Sequence, residues 1–205
     1  MSLRLNAVLN NHPYNMGSPI CEQVCLGGLG WLVMCFADGL NREILNKIYQ
    51  TLAAFLSRHS KAFVIRFDIS LYDSPSHNKT IGKIMRNISG KLTNYYNTTV
   101  VYGWVREQNS IDDKCHYHCF VIINGHNANK TKITFDYAKH AIELVVDANA
   151  HFPAYCYYMV KRNDLTSFQA ALYRLSYLAK NASKEGKPSK VKGYFFSRIR
   201  PKPQQ

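Results

Sequence analysis

Residues Ala62 to Ser70 alternate strictly, with Phe63, Ile65, Phe67 and Ile69 on one side and Val64, Arg66, Asp68 and Ser70 on the other. This is the period-two pattern of a half-buried strand. The stretches Thr98 to Glu107 and Cys115 to Ile123 are rich in β-branched and aromatic residues and enclose the polar run Asn109 to Lys114, which predicts a hairpin. A sheet is therefore the element around which the rest must be fitted.

Helices are expected before and between these strands in the sequence. Ile44, Ile48, Leu52 and Leu56 stand four apart within Asn41 to Ser57, and Ile81, Ile84, Ile88, Leu92 and Tyr95 follow three- and four-residue steps after turn residues at Ser74 to His77. Gly90 weakens the second helix. Further elements are a helix at Phe135 to Asp147, a strand at Tyr155 to Val160, a helix at Thr166 to Ala182 and a strand at Val191 to Ile199. From the first strand onward, six elements run β-α-β-β-α-β. That order predicts an α+β fold: an antiparallel sheet of about five strands with flanking helices, placed on one side, around a split βαβ core.

One domain is expected over residues 41–200, after an N-terminal segment of uncertain structure (1–40) and before a short tail (201–205), with the chain frayed from Arg198 onward. The apolar run Val24 to Phe36 has 13 residues including three glycines. A membrane helix needs roughly 20, so core is the reading and no membrane partner is expected.

Lysine and arginine number 26 against 13 acidic residues, a net charge of +13 distributed along the chain. A folded basic surface of this kind attracts polyanions, nucleic acid first among them. The six cysteines follow no disulfide or zinc-finger spacing, and no basic segment followed by an apolar stretch opens the chain, so a reducing cytoplasm fits.

Chemistry is concentrated in two places. In Cys115-His116-Tyr117-His118-Cys119, residues two apart share a strand face, so His116 and His118 project together while Tyr117 and both cysteines point away. Pairing Glu107 with His116 across the expected hairpin, and so Val105 with His118, would bring a carboxylate to the same face. Two imidazoles and one carboxylate leave room for water and phosphate oxygen on magnesium or manganese, whereas structural zinc wants four protein ligands. The plain alternative is a chance pair of histidines on a solvent-facing strand.

The second place is the helix opening at Thr166-Ser167-Phe168-Gln169, which has the form of a capping box. At about 100° per residue, Tyr173, Tyr177, Lys180 and Lys184 fall within roughly 60° of one another, apart from Phe168, Ala171, Leu172, Leu175 and Ala179. Ordinary aromatic packing beside a solvated lysine stripe is one account. The other makes a tyrosine the nucleophile on a phosphodiester, with Lys180, three residues beyond Tyr177, assisting it or binding the phosphate.

Together these residues resemble the HUH replication initiators, with their His-hydrophobic-His and Tyr-x-x-Lys motifs. The closer resemblance is to the inovirus-type replication proteins, also labelled the YagK/YfjJ C-terminal domain. Arg66-Phe67-Asp68-Ile69-Ser70, Trp104-Val105-Arg106-Glu107-Gln108, the histidine pair and Tyr177-Leu-Ala-Lys180 occur in that order. The resemblance implies a phage- or prophage-encoded endonuclease of the bacterial cytoplasm that nicks one DNA strand. It implies a 5′-phosphotyrosine link and a free 3′-hydroxyl that primes rolling-circle synthesis. His116 and His118 would be metal ligands, joined by Glu107, Tyr177 the nucleophile and Tyr173 a second one. Single-stranded or unwound DNA is the implied partner, with a host helicase and polymerase, and no small-molecule cofactor.

Arg66 and Asp68, on the polar face of the first strand, contact DNA or support the metal site, or else form a plain surface ion pair. Tyr155, Tyr157, Tyr158, Lys161 and Arg162 interleave aromatics with charge as base-stacking surfaces do, and Lys184 adds a further cation. The competing reading of the whole chain is a non-catalytic module that binds single-stranded DNA or RNA.

Overall fold

A computed structural model describes residues 21–72, 76–110, 114–145, 148–181 and 190–203. The strands are β1 (Cys21–Leu26), β2 (Leu29–Met34), β3 (Lys61–Leu71), β4 (Val101–Glu107), β5 (Cys115–Asn124), β6 (Ala148–His151), β7 (Tyr157–Lys161) and β8 (Tyr194–Phe196). The helices are α1 (Arg42–Arg58), α2 (Lys79–Tyr96), α3 (Lys132–Glu143) and α4 (Leu165–Ser176), and a 3-10 turn, Tyr177–Ala179, follows α4.

The α+β expectation holds: six strands form one antiparallel sheet in the order β6-β3-β5-β4-β8, with β7 also on β3. The split βαβ position beside β3 is filled twice. β6, which the sequence pattern did not announce, pairs with Asp68 to Leu71, and β7 pairs with Lys61 to Ile65. Between them the amide of Arg66 donates to the carbonyl of Cys156 at 2.6 Å.

Helices cover both faces of the sheet, not one. Phe63, Ile65, Phe67 and Ile69 of β3 join a core with Ile81, Ile84, Met85, Ile88 and Leu92 of α2 and with Ala138, Ala141 and Ile142 of α3. Ala62 and Val64, on the other face, join Ile44, Ile48, Leu52 and Phe55 of α1, Phe168, Leu172 and Leu175 of α4, and Trp31 and Val33 of β2. β3 is thus a central strand buried on both faces, not a half-buried one. Its polar side chains Arg66 and Asp68 are only 4% and 5% exposed. Charges so placed must find partners, because an unpaired buried charge costs several kcal/mol.

Part of the N-terminal segment belongs to this core. Gly27 and Gly28, at φ 58° and 77°, form the two-residue β1–β2 turn, which needs left-handed backbone at both positions. Trp31 is buried with its ring centroid 4.8 Å from that of Phe168, and its indole N–H donates to the carbonyl of Leu26 at 3.0 Å. The hairpin is locked to α4 through its edge. Gln169 Oε1 accepts from the Leu32 amide at 3.0 Å and its Nε2 donates to the Leu32 carbonyl at 2.7 Å, while Ser176 Oγ accepts from the Met34 amide at 3.0 Å.

Gln169 is therefore not the second half of a capping box. Asp164 caps α4, its Oδ1 accepting from the amides of Thr166 and Ser167 at 3.1 and 3.2 Å. A carboxylate at a helix N-terminus also faces the positive end of the helix dipole, which a threonine cannot match. The last strand spans three residues, shorter than expected. The chain beyond it is held against the end of α1 where fraying was expected: Arg58 Nε donates to the carbonyl of Arg200 and the Lys202 amide to Ser57 Oγ. Among the described residues no helix is long and apolar enough to cross a membrane.

Candidate metal and tyrosine centre

The β4–β5 register is the expected one, Glu107 opposite His116 and Val105 opposite His118. On the other side of β5, Asp68 of β3 lies opposite His118 and Ser70 opposite His116. Paired residues of neighbouring strands share a face, so His116, His118, Asp68, Ser70 and Glu107 all project toward α1 and α4. Tyr117, Cys115 and Cys119 are buried on the other face.

One ligand atom from each of Asp68, His116 and His118 lies within 4.8 Å of the others, a cluster that could hold a metal ion. His118 Nδ1 is 2.9 Å from Asp68 Oδ1, and His116 Nε2 is 3.8 Å from Asp68 Oδ2. Ser70 Oγ, 3.0 Å from His116 Nδ1, orients that ring and leaves Nε2 toward Asp68. Glu107 reaches diagonally past its cross-strand partner, its Oε2 2.7 Å from His118 Nε2. His118 therefore has a carboxylate at each ring nitrogen. A neutral imidazole carries one N–H and can donate to only one of them. The second carboxylate is satisfied when the ring is doubly protonated or when a cation stands between them, and two imidazoles beside a carboxylate are a donor set that fits a divalent ion.

The two carboxyls are held in their charged form. Burial alone would raise the Asp68 carboxyl, but hydrogen bonds from His116 and His118, with the charges of His118 and Arg66, hold it far below the carboxylate range. Burial likewise raises Glu107, and His118 and Lys180 overcome it and bring it down to about 2. Arg66 donates from one terminal nitrogen to both Asp68 oxygens at 3.3 Å, and Lys180 Nζ donates to Glu107 Oε1 at 3.3 Å.

The first residue of the 3-10 turn, Tyr177, meets this cluster. Its ring is perpendicular to that of His118 with centroids 4.9 Å apart, and the Arg66 guanidinium carbon lies 4.3 Å from its centroid. Lys180 Nζ is 5.8 Å from the same centroid, and Phe36 packs edge-on at 5.7 Å. The α-helix stops at Ser176, short of the expected Ala182. The chain leaves it to pair with the segment before α1: the amide of Asn41 donates to the Ala179 carbonyl and that of Asn181 to the Gly39 carbonyl. Side chains three apart eclipse in 3-10 geometry, which keeps Tyr177 and Lys180 on one side.

A family model described as the YagK/YfjJ C-terminal domain matches residues 31–192. The chain belongs to that family. Comparisons with curated proteins and with solved structures returned no match.

Other residues singled out in this YagK/YfjJ chain lie elsewhere. Tyr173 is 1% exposed and packs with Met34 and Ala170, because β2 covers the helix face that looked free in the sequence. Arg162 is committed to the end of α1, donating to the carbonyls of Leu56 and Ser57. Lys161 is exposed on β7, and Lys184 lies outside the described residues. Arg174, three residues before Tyr177, carries no signal of its own in the sequence beyond its place between the two tyrosines.

Proposed function

We propose that this protein is a metal-dependent endonuclease and strand transferase of the HUH type that nicks single-stranded DNA to start rolling-circle replication. The reading rests on one observation: the phenol of Tyr177 stands beside His118, on the same face as the Asp68, His116 and His118 cluster. A nucleophile and a cation-binding set within one phosphate's reach are what phosphodiester transfer requires.

In this reading the Tyr177 oxygen attacks phosphorus. A P–O bond to tyrosine forms, the P–O3′ bond breaks, and the phenol proton lost on attack is balanced by a proton taken up at the 3′ oxygen. The products are a 5′-phosphotyrosine and a 3′-hydroxyl that primes synthesis, with host helicase and polymerase following. A divalent cation such as magnesium or manganese, held by Asp68, His116 and His118, would neutralise charge on the scissile phosphate. Arg66 keeps Asp68 and the Tyr177 ring in register, and Lys180, braced by Glu107, adds positive charge near that ring. Tyr173 would serve a second transfer only after leaving its buried position.

Labelled single-stranded oligonucleotides incubated with the protein and manganese should yield an adduct that survives denaturation. Tyr177→Phe should abolish it and Tyr173→Phe should leave the first adduct within about threefold of wild type. No adduct from a broad oligonucleotide panel, with salt-sensitive binding that persists when both histidines are replaced, would instead establish a non-catalytic single-strand binding module.

A further inference from the structure

Three cations lie near one another here: Arg66 against the Tyr177 ring, Lys180 5.8 Å from its centroid, and Arg174, three residues before Tyr177, close enough to Arg66 to act on its charge. Two of them are matched, Arg66 by Asp68 and Lys180 by Glu107. Arg174 has no carboxylate partner among the described residues; its terminal nitrogen donates to the Ala154 carbonyl at 3.0 Å. The Nε atoms of both Arg66 and Arg174 are buried without a hydrogen-bond partner, and Arg66 is itself almost wholly buried. The Arg174 guanidinium reaches the short connection between β6 and β7 at the Ala154 carbonyl, and the backbone amide of Arg66 meets the same connection at the Cys156 carbonyl. Positive charge brought together with idle donors is unfavourable unless an anion completes it.

We propose that Arg174 and Arg66 form a phosphate subsite beside Tyr177, which takes a phosphodiester of the single-stranded DNA next to the one that is cut. The assignment of DNA as the ligand rests on the nuclease reading above. Arg174 is the binding residue, since it is partly exposed and carries the unmatched charge. Arg66 sets the depth of the subsite from below, against the tyrosine ring. The guanidinium fork suits phosphate oxygens, which accept paired N–H bonds. The chain beyond Ala154 turns through Tyr155, which is exposed at φ 53°, so a strand leaving the subsite along this connection meets an aromatic ring.

The test is equilibrium binding of a fluorescent single-stranded oligonucleotide to the full chain across a salt series, without divalent cation so that no strand is cut. Arg174→Gln should weaken binding at low salt by about tenfold. It should also reduce the slope of log affinity against log salt by about 0.7, the share of one phosphate on a single strand. Arg174→Lys should keep the wild-type slope. Lys83→Gln, an exposed charge on α2 across the sheet, should change neither quantity. If Arg174→Gln and Arg174→Lys both keep the wild-type slope and share a lowered melting temperature, Arg174 only supports the Ala154 connection and the subsite is refuted. If wild type binds no single strand at all, the subsite and the nuclease reading fall together. Failure of adduct formation beside a lowered Arg174→Gln slope would refute the chemistry and leave the subsite standing.

Discussion

Arg66 places its guanidinium carbon 4.3 Å from the Tyr177 ring centroid, while its terminal nitrogen holds both oxygens of Asp68. A strand residue at the sheet centre thereby links the tyrosine of a distant turn to the acidic member of the metal cluster. Burial lowers the Arg66 pKa, and Asp68 offsets part of that cost. Removing one partner of a buried pair costs about 3 kcal/mol or more, because the other is left uncompensated.

Arg66→Gln should therefore lower unfolding free energy by roughly that amount in urea melts. Single-turnover adduct formation should slow at least about tenfold. Arg66→Lys should recover most of the stability but not the rate, since an ammonium lacks the planar face that stacks on the ring. A lysine variant as fast as wild type would show that charge alone suffices.

The metal cluster makes a comparative prediction about two carboxylates. Asp68 is the acidic member of the group whose ligand atoms converge, whereas Glu107 sits at the far nitrogen of His118 and is shared with Lys180. Asp68→Asn should weaken manganese binding by at least about tenfold, and Glu107→Gln by less. Calorimetric titration of both variants would decide it, and the reverse order would restore Glu107 as the third ligand expected from the hairpin register.

Stability of the metal-free protein should fall in acid, and the sign follows from the two depressed carboxyls. Glu107 titrates at 4.5 when unperturbed and at about 2 in the fold, so between these values the unfolded chain binds more protons than the native one. Asp68 is displaced in the same direction. Their contribution is complete above about pH 5 and drains away as pH drops toward 2 and below. Thermal melts from pH 6 to pH 2 should show this decline, and in Asp68→Asn with Glu107→Gln the curve should flatten.

Trp31 tests whether the hairpin ahead of α1 is part of the cooperative unit. Its ring fills the space between Phe168 and Tyr49, and Gln169 fastens the neighbouring Leu32. Trp31→Ala should cost about 3–5 kcal/mol in a single unfolding transition. Because Phe36 of the same segment touches Tyr177, adduct formation should drop with it. A separate early transition with an unchanged main one would mark the hairpin as an appendage.

Local pattern was enough for much of this molecule. Period-two alternation located β3, runs of β-branched and aromatic residues located β4 and β5, and the even spacing of β-strand side chains already put His116, His118 and Glu107 on one face. The register follows from a hairpin whose two strands are close in sequence, so few alternatives compete. Helical spacing likewise marked α1, α2 and the start of α4.

What the sequence could not reveal depends on contacts between distant segments. Short β6 carries no periodic signal and exists because β3 offers it an edge. The Tyr173 and Tyr177 side chains stand four apart and look equivalent on a helical wheel, yet β2 buries the first and the 3-10 turn carries the second to His118. Asp68 and Arg66 read equally well as a surface pair or as part of the site, and α1, α4 and the hairpin bury them by closing over that face. Spacing along the chain determined which side chains could act together; packing of remote elements decided which do, because burial and pairing are properties of the assembled core and of no single segment.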